Sequence, residues 1–126
     1  MTKLLIVDPQ YNFRNASEEL AELEEVAYRS LPLADDAIHD ILEGKYVPSV
    51  SLVSLGNRER TFEWDDCFKL YHILKERRAV ERFYFCSVNV GEDASEIEKR
   101  TAPVVEVLDL TTDITSRIVE IIRSAK

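Results

Sequence analysis

Short runs of consecutive apolar residues alternate along the chain with longer stretches in which apolar residues return every three or four positions. The first run, Leu4-Leu5-Ile6-Val7, stops at Asp8-Pro9. An unbroken run of that length suits a strand covered on both faces, as in a parallel sheet flanked by helices. Behind it Phe13, Ala16, Leu20 and Leu23 share one helical face, leaving Glu18, Glu19, Glu22, Glu24 and Glu25 to solvent. Val26 to Ser30 reads as a brief second strand. Asp35 to Glu43 reads as a helix, with Ala37, Ile38, Ile41 and Leu42 on one stripe, acids in the first turn and Gly44 behind its end.

The alternation continues through the second half. Val47 to Leu55 has strand character and ends in a Gly56-Asn57 turn signal. Asp65-Asp66 then opens a helix through Cys67, Phe68, Tyr71 and Leu74. Phe83 to Val88 is a β-favouring run, and Asp93 to Arg100 is a weakly amphipathic helix with only Ala94 and Ile97 to bury. Val104, Val105, Val107 and Leu108 form a fifth strand, and Thr112-Asp113 starts a last helix with Ile114, Ile118, Ile121 and Ile122 on one face. Five βα units predict an α/β fold with a doubly wound parallel sheet, because right-handed crossovers allow little else. Function in such sheets collects at the carboxyl ends of the strands. Those ends offer Asp8, Ser30, Ser54, Ser87 with Asn89, and Asp109.

Composition narrows the class. The chain has 126 residues, 45% of them hydrophobic, with three Gly and four Pro, which fits one globular cytosolic domain over residues 1–126 and excludes a low-complexity chain. The longest apolar runs have four residues, too short for a membrane span or a signal peptide, so no membrane partner is expected. The net charge of −8 lies wholly in residues 1–66, whereas residues 67–126 balance. Such a surface repels phosphate backbones, which argues against a nucleic-acid partner. The basic cluster Lys75, Arg77, Arg78 and Arg82 reads as a helix C-terminus answering its dipole. Cys67 and Cys86 read as buried small hydrophobes. A zinc site from His39, Cys67, His72 and Cys86 is disfavoured, since Cys67 and His72 diverge on a helix.

Several segments carry a resemblance. They are Lys3 to Asp8 with Phe13-Arg14, Asp35 to Ile38 running to Gly44-Lys45-Tyr46, Pro48 to Leu55, Phe83 to Ser87, and the helix from Ile114 to Arg123. In order and spacing they resemble a response-regulator receiver domain of bacterial two-component signalling, over nearly the whole chain. The resemblance implies a flavodoxin-like (βα)₅ fold with strand order 2-1-3-4-5. It also implies a pocket in which an aspartate ending the third strand accepts a phosphoryl group. An acidic pair, a magnesium ion, a strand-four hydroxyl and a strand-five lysine assist it, with metal and lysine neutralising the transferred charge.

By that resemblance the pocket here is degenerate. The acidic pair is reduced to Asp8, with Pro9 in the second position; Ser54 stands for the nucleophile, and Ser87 keeps a hydroxyl. The lysine position falls to Leu108 or Asp109. Asp8 beside a neutral Ser54 should hold magnesium weakly at most, and no cofactor is expected. A pseudo-receiver follows: no enzyme, but a phosphorylation-independent interaction module for a protein partner, whether kinase, output domain or a second copy in a homodimer. The implied partner face carries Val105, Glu106 and Val119. Two alternatives stand beside it. One is a metal-dependent phosphoesterase or nuclease using Asp8, Asp109 and Asp65 or Asp66; the other is phosphorylation at an atypical residue, Asp109 or Ser54.

Overall fold

The computed structural model describes residues 2–55, 61–77, 82–101 and 106–126, with the backbone alone at Tyr11, Thr61 and Phe62. Ten elements alternate: β1 (Leu4–Val7), α1 (Tyr11–Leu23), β2 (Tyr28–Leu31), α2 (Ala34–Leu42), β3 (Val50–Ser54), α3 (Thr61–Glu76), β4 (Phe83–Ser87), α4 (Val90–Arg100), β5 (Glu106–Asp109) and α5 (Thr115–Ser124). The strands form one parallel sheet in the order β2-β1-β3-β4-β5. The expected α/β class and strand order are both present.

Period-two alternation divides the core between the sheet's faces. Leu5, Val7, Val53, Phe83 and Phe85 pack with α2, α3 and Ile97 of α4. Leu4, Ile6, Leu52, Cys86 and Leu108 pack with α1 and the Ile118, Ile121 and Ile122 stripe of α5. All four residues of β1 are buried, as an unbroken apolar run requires.

Several boundaries differ from the expected ones. β2 begins at Tyr28 and β3 at Val50, later than the apolar runs do, while α4 begins three residues earlier than Asp93. The last helix begins at Thr115, whose N–H donates to the Asp113 carboxylate at 3.1 Å, so Asp113 caps the helix from outside. α3 begins at Thr61, so Asp65 and Asp66 lie in its second turn and Glu63 is its first-turn acid. Trp64 explains the earlier start: it is buried in the core beside Phe68, and a helix beginning at Asp65 would leave it out. Gly56-Asn57, Arg78, Val104 and Val105 lie outside the described residues.

Both α1 and α2 end in the same hydrogen-bonded turn. Val26 N–H reaches Ala21 O and Glu25 N–H reaches Glu22 O; likewise Lys45 N–H reaches Asp40 O and Gly44 N–H reaches Ile41 O. These are Schellman pairs, which put the first residue beyond the C-cap in the left-handed region. Gly44 occupies that position at φ 76°, but after α1 it is Glu25, at φ 58°.

Candidate functional site

The carboxyl ends of the strands bring the expected residues to one rim without joining them into one site. Asp8 follows β1 and is buried. Its Oδ1 accepts the Gln10 N–H at 2.8 Å, and its Oδ2 has no hydrogen-bond partner among the described residues. Burial pushes its carboxyl up to about 6, and the Gln10 N–H, the Ser54 hydroxyl and the Arg14 charge offset only part of that rise. Arg14 donates to the Asp8 carbonyl at 3.4 Å. Pro9, which has no N–H to donate, follows at once.

Ser54 is the last residue of β3 and is buried beside Asp8, with Cys86 of β4 as its register partner. Ser87 closes β4, but its hydroxyl proton goes to Oδ2 of Asp93, a buried acid in the first turn of α4, while its oxygen accepts the Asn89 N–H at 2.9 Å. A hydroxyl has one proton, so Ser87 is committed to fastening α4. Residue periodicity gave no signal of this pairing; the only trace in the chain is a hydroxyl at a strand end followed six residues later by an acid in a helical first turn.

The two strand-five candidates sit differently. Asp109 lies opposite Ser87, whereas Leu108 lies opposite Cys86 and is buried in the core. Asp109 therefore occupies the strand end. Its carboxylate accepts both the N–H and the hydroxyl of Thr111, which hold it below the usual carboxylate range. Ser30 lies within β2 and not at its end, with Leu31 following it in the strand.

The other proposed clusters are dispersed. Asp65 pairs with Arg100 at 3.0 Å, pointing toward α4, while Asp109 serves its own turn. Among the described residues no three His, Cys, Asp or Glu side chains converge as metal ligands. Cys67 and Cys86 belong to core clusters on opposite faces of the sheet. Burial pushes the Cys67 thiol up to about 12, and that of Cys86 is also raised. The magnesium ion that receiver chemistry employs finds a poor donor set here: one buried carboxylate, a neutral hydroxyl and a proline. Magnesium demands near-octahedral oxygen coordination, and burial, which favours the protonated form of the Asp8 carboxyl, weakens the one carboxylate that these residues offer it.

On the opposite rim, Arg117 of α5 forks onto Glu106 of β5 at 2.7 and 3.0 Å, with its guanidinium 5.6 Å from the Tyr84 ring centre. It also reaches Glu120 at 2.7 Å. Val119 is half-buried nearby on α5, and Val105 lies outside the described residues. Arg82 of the basic cluster does not answer the dipole of α3, the helix before it, but donates to the Ser124 carbonyl at the end of α5.

No protein-family model and no curated protein matches this chain. Solved structures do. A response regulator receiver domain protein from Clostridium thermocellum superposes with a TM-score of 0.68 at 9% identity, over 99% of this chain and 94% of its own. An orphan response regulator of H. pylori gives 0.69 at 11% identity, over 98% and 95%. A response regulator from Thermotoga maritima gives 0.67 at 15% identity, over 98% and 99%. With strand order and helix placement already in hand, this likeness shows that the chain has the fold of response-regulator receiver domains.

Proposed function

We propose that the chain is a pseudo-receiver: a receiver fold serving as a protein-interaction module in a two-component-type regulatory system, with a state not set by phosphorylation. The observation that carries this reading is Ser54 at the end of β3, its hydroxyl facing the buried carboxylate of Asp8. Aspartyl phosphorylation needs a carboxylate nucleophile at that position. It also needs cations around the transferred group. The neighbouring strand ends supply Asp8 and Asp109, both acids, and Ser87 gives its proton to Asp93. Among the described residues Arg14 is a nearby cation, and its effect on Asp8 is the smallest of the influences acting there.

The partner is a protein: a kinase, an output domain or a second copy. The face built from α4, β5 and α5 is the one proposed to meet it, with Glu106, Arg117 and Val119 at its surface. Capture experiments comparing the parent chain with Val119→Glu test that face. Loss of the captured partners is expected, and an unchanged set would count against the face. Incubation with acetyl phosphate and magnesium tests phosphate independence. The intact mass should not change, and a hydroxylamine-labile phosphoryl group on Asp109 or Asp8 would overturn it.

A further inference from the structure

β2 ends the sheet and, among the described residues, pairs with β1 alone. Ala27 O accepts the N–H of Lys3 and Leu4, and Leu31 O accepts that of Asp8. Ala27, Arg29 and Leu31 therefore turn their main-chain groups to β1, because that direction alternates along a strand. The N–H and C=O of Tyr28 and Ser30 are left pointing out of the sheet. None of them has a hydrogen-bond partner among the described residues, and Pro32 behind them has no N–H. The Ser30 hydroxyl is buried and unpartnered as well.

The two flanks of this edge differ in charge. On the α2 side Arg29 pairs with Asp40 at 3.4 Å, a cation against an acid. On the α1 side Glu22 accepts the Tyr28 hydroxyl at 2.6 Å. That bond, burial and the charges of Glu22 and Glu18 push the phenol up to about 12, so both carboxylates face the edge strand. Arg14, one turn before Glu18, donates to the Asp8 carbonyl instead. No Lys or Arg pairs with Glu18 or Glu22 among the described residues.

We propose that the outer edge of β2 takes an extended basic segment of a partner protein as a sixth strand, with Lys or Arg at every second position set against Glu18 and Glu22. Main-chain bonds to Tyr28 and Ser30 fix its register, and alternation puts its cations on the α1 side, as strand addition requires. A second copy of this chain is the poorer occupant, since pairing β2 with β2 brings Glu18 and Glu22 against their own kind. Arg29 and Pro32 on so short an edge discourage indiscriminate pairing, which leaves the charge of the incoming strand to select it. β2 and β5 lie at opposite ends of the sheet, so this site is separate from the α4–β5–α5 face and does not depend on it.

Titration of ¹⁵N-labelled protein with the blocked peptide acetyl-TKVKVKT-amide tests the proposal. Its isomer acetyl-TKKKVVT-amide keeps the charge and breaks the alternation, and acetyl-TEVEVET-amide reverses the charge. The first should saturate with a dissociation constant of roughly 0.1–1 mM, the scale of a few main-chain hydrogen bonds with modest charge assistance. The Tyr28 and Ser30 amides should move downfield and exchange more slowly, while those of Arg29 and Leu31, already bonded to β1, change less. The isomer should bind at least about fivefold more weakly, and the acidic peptide should not bind. Ser30→Pro removes an outward N–H at an edge position that tolerates proline, and should abolish saturable binding. Glu18→Lys should weaken binding by about three- to tenfold, and serves if the first variant misfolds. Equal affinity for the isomer or the acidic peptide, undiminished binding by the variants, shifts centred away from β2, dimerisation of the free chain through β2, or no saturation up to about 10 mM would each overturn the proposal.

Discussion

Asp8 carries its charge at a cost. Its carboxyl titrates at about 6 in the folded chain against 3.8 for an ordinary aspartate, so the folded state binds the proton more tightly than the unfolded state does. The penalty is therefore fully present above pH 6, shrinks as the pH falls through the folded value, and is absent below the unfolded one. Asp8→Asn keeps an oxygen for the Gln10 N–H and removes the charge. It should stabilise the protein by roughly 1–3 kcal/mol at pH 7.5 and by only about a fifth as much at pH 4. Urea midpoints of the two proteins at both pH values test this, since acid loss from Asp40, Asp109 and Asp113, all held low, is common to both. A gain of equal size at both pH values would show that burial of the charge is not the cause. The Glu106–Arg117 pair is exposed by comparison, and Glu106→Gln should change stability by less than about 1 kcal/mol.

At the scale of elements, two local devices carry testable weight. Glu25 holds a left-handed conformation in a turn whose counterpart after α2 uses Gly44. A side chain there is strained by about 1 kcal/mol, so Glu25→Gly should raise the thermal midpoint, and a lowered midpoint would contradict the strain. The start of α4 is fastened by Ser87 to Asp93, while Ile97 is its buried apolar anchor. Ser87→Ala should cost about 1–3 kcal/mol and speed amide exchange over residues 90–100 more than elsewhere. Uniform acceleration across the chain would deny Ser87 a local role. The amphipathic stripe of α5 was legible in the sequence, because one buried face per helix leaves a regular spacing, but the stripes expected on α1 and α2 were only partly right: Ala16, Leu23 and Leu42 are exposed, and on α1 the small residues Ser17 and Ala21 take the buried positions against the sheet. The start of α3 was not: two consecutive acids imitate a helix N-terminus, and only the burial of Trp64 shows that the helix is already under way. Ser87–Asp93 was invisible for a different reason. It joins a strand end to a helix across a turn, and neither a period of two nor one of 3.6 encodes that contact.

For the whole molecule, alternation of apolar runs and helical stripes was enough to specify a (βα)₅ sheet, and the strand ends followed from it. Asp8, Ser54, Ser87 and Asp109 stand at the rim where the sequence placed them, yet their partners were not legible, because side-chain direction decides those. Ser87 turns to α4, Asp109 to Thr111, and Asp8 is left beside Ser54. Part of the charge surplus of the first half also has a place: Glu18, Glu19, Glu22, Glu24 and Glu25 lie along α1 and the turn that ends it. The most direct measurement of the central proposal is an amide spectrum recorded with and without beryllofluoride and magnesium. Phosphate independence predicts no shift at Ser54, Ser87 or residues 90–100. Saturable, magnesium-dependent shifts at those positions would show a working phosphoryl pocket and contradict it.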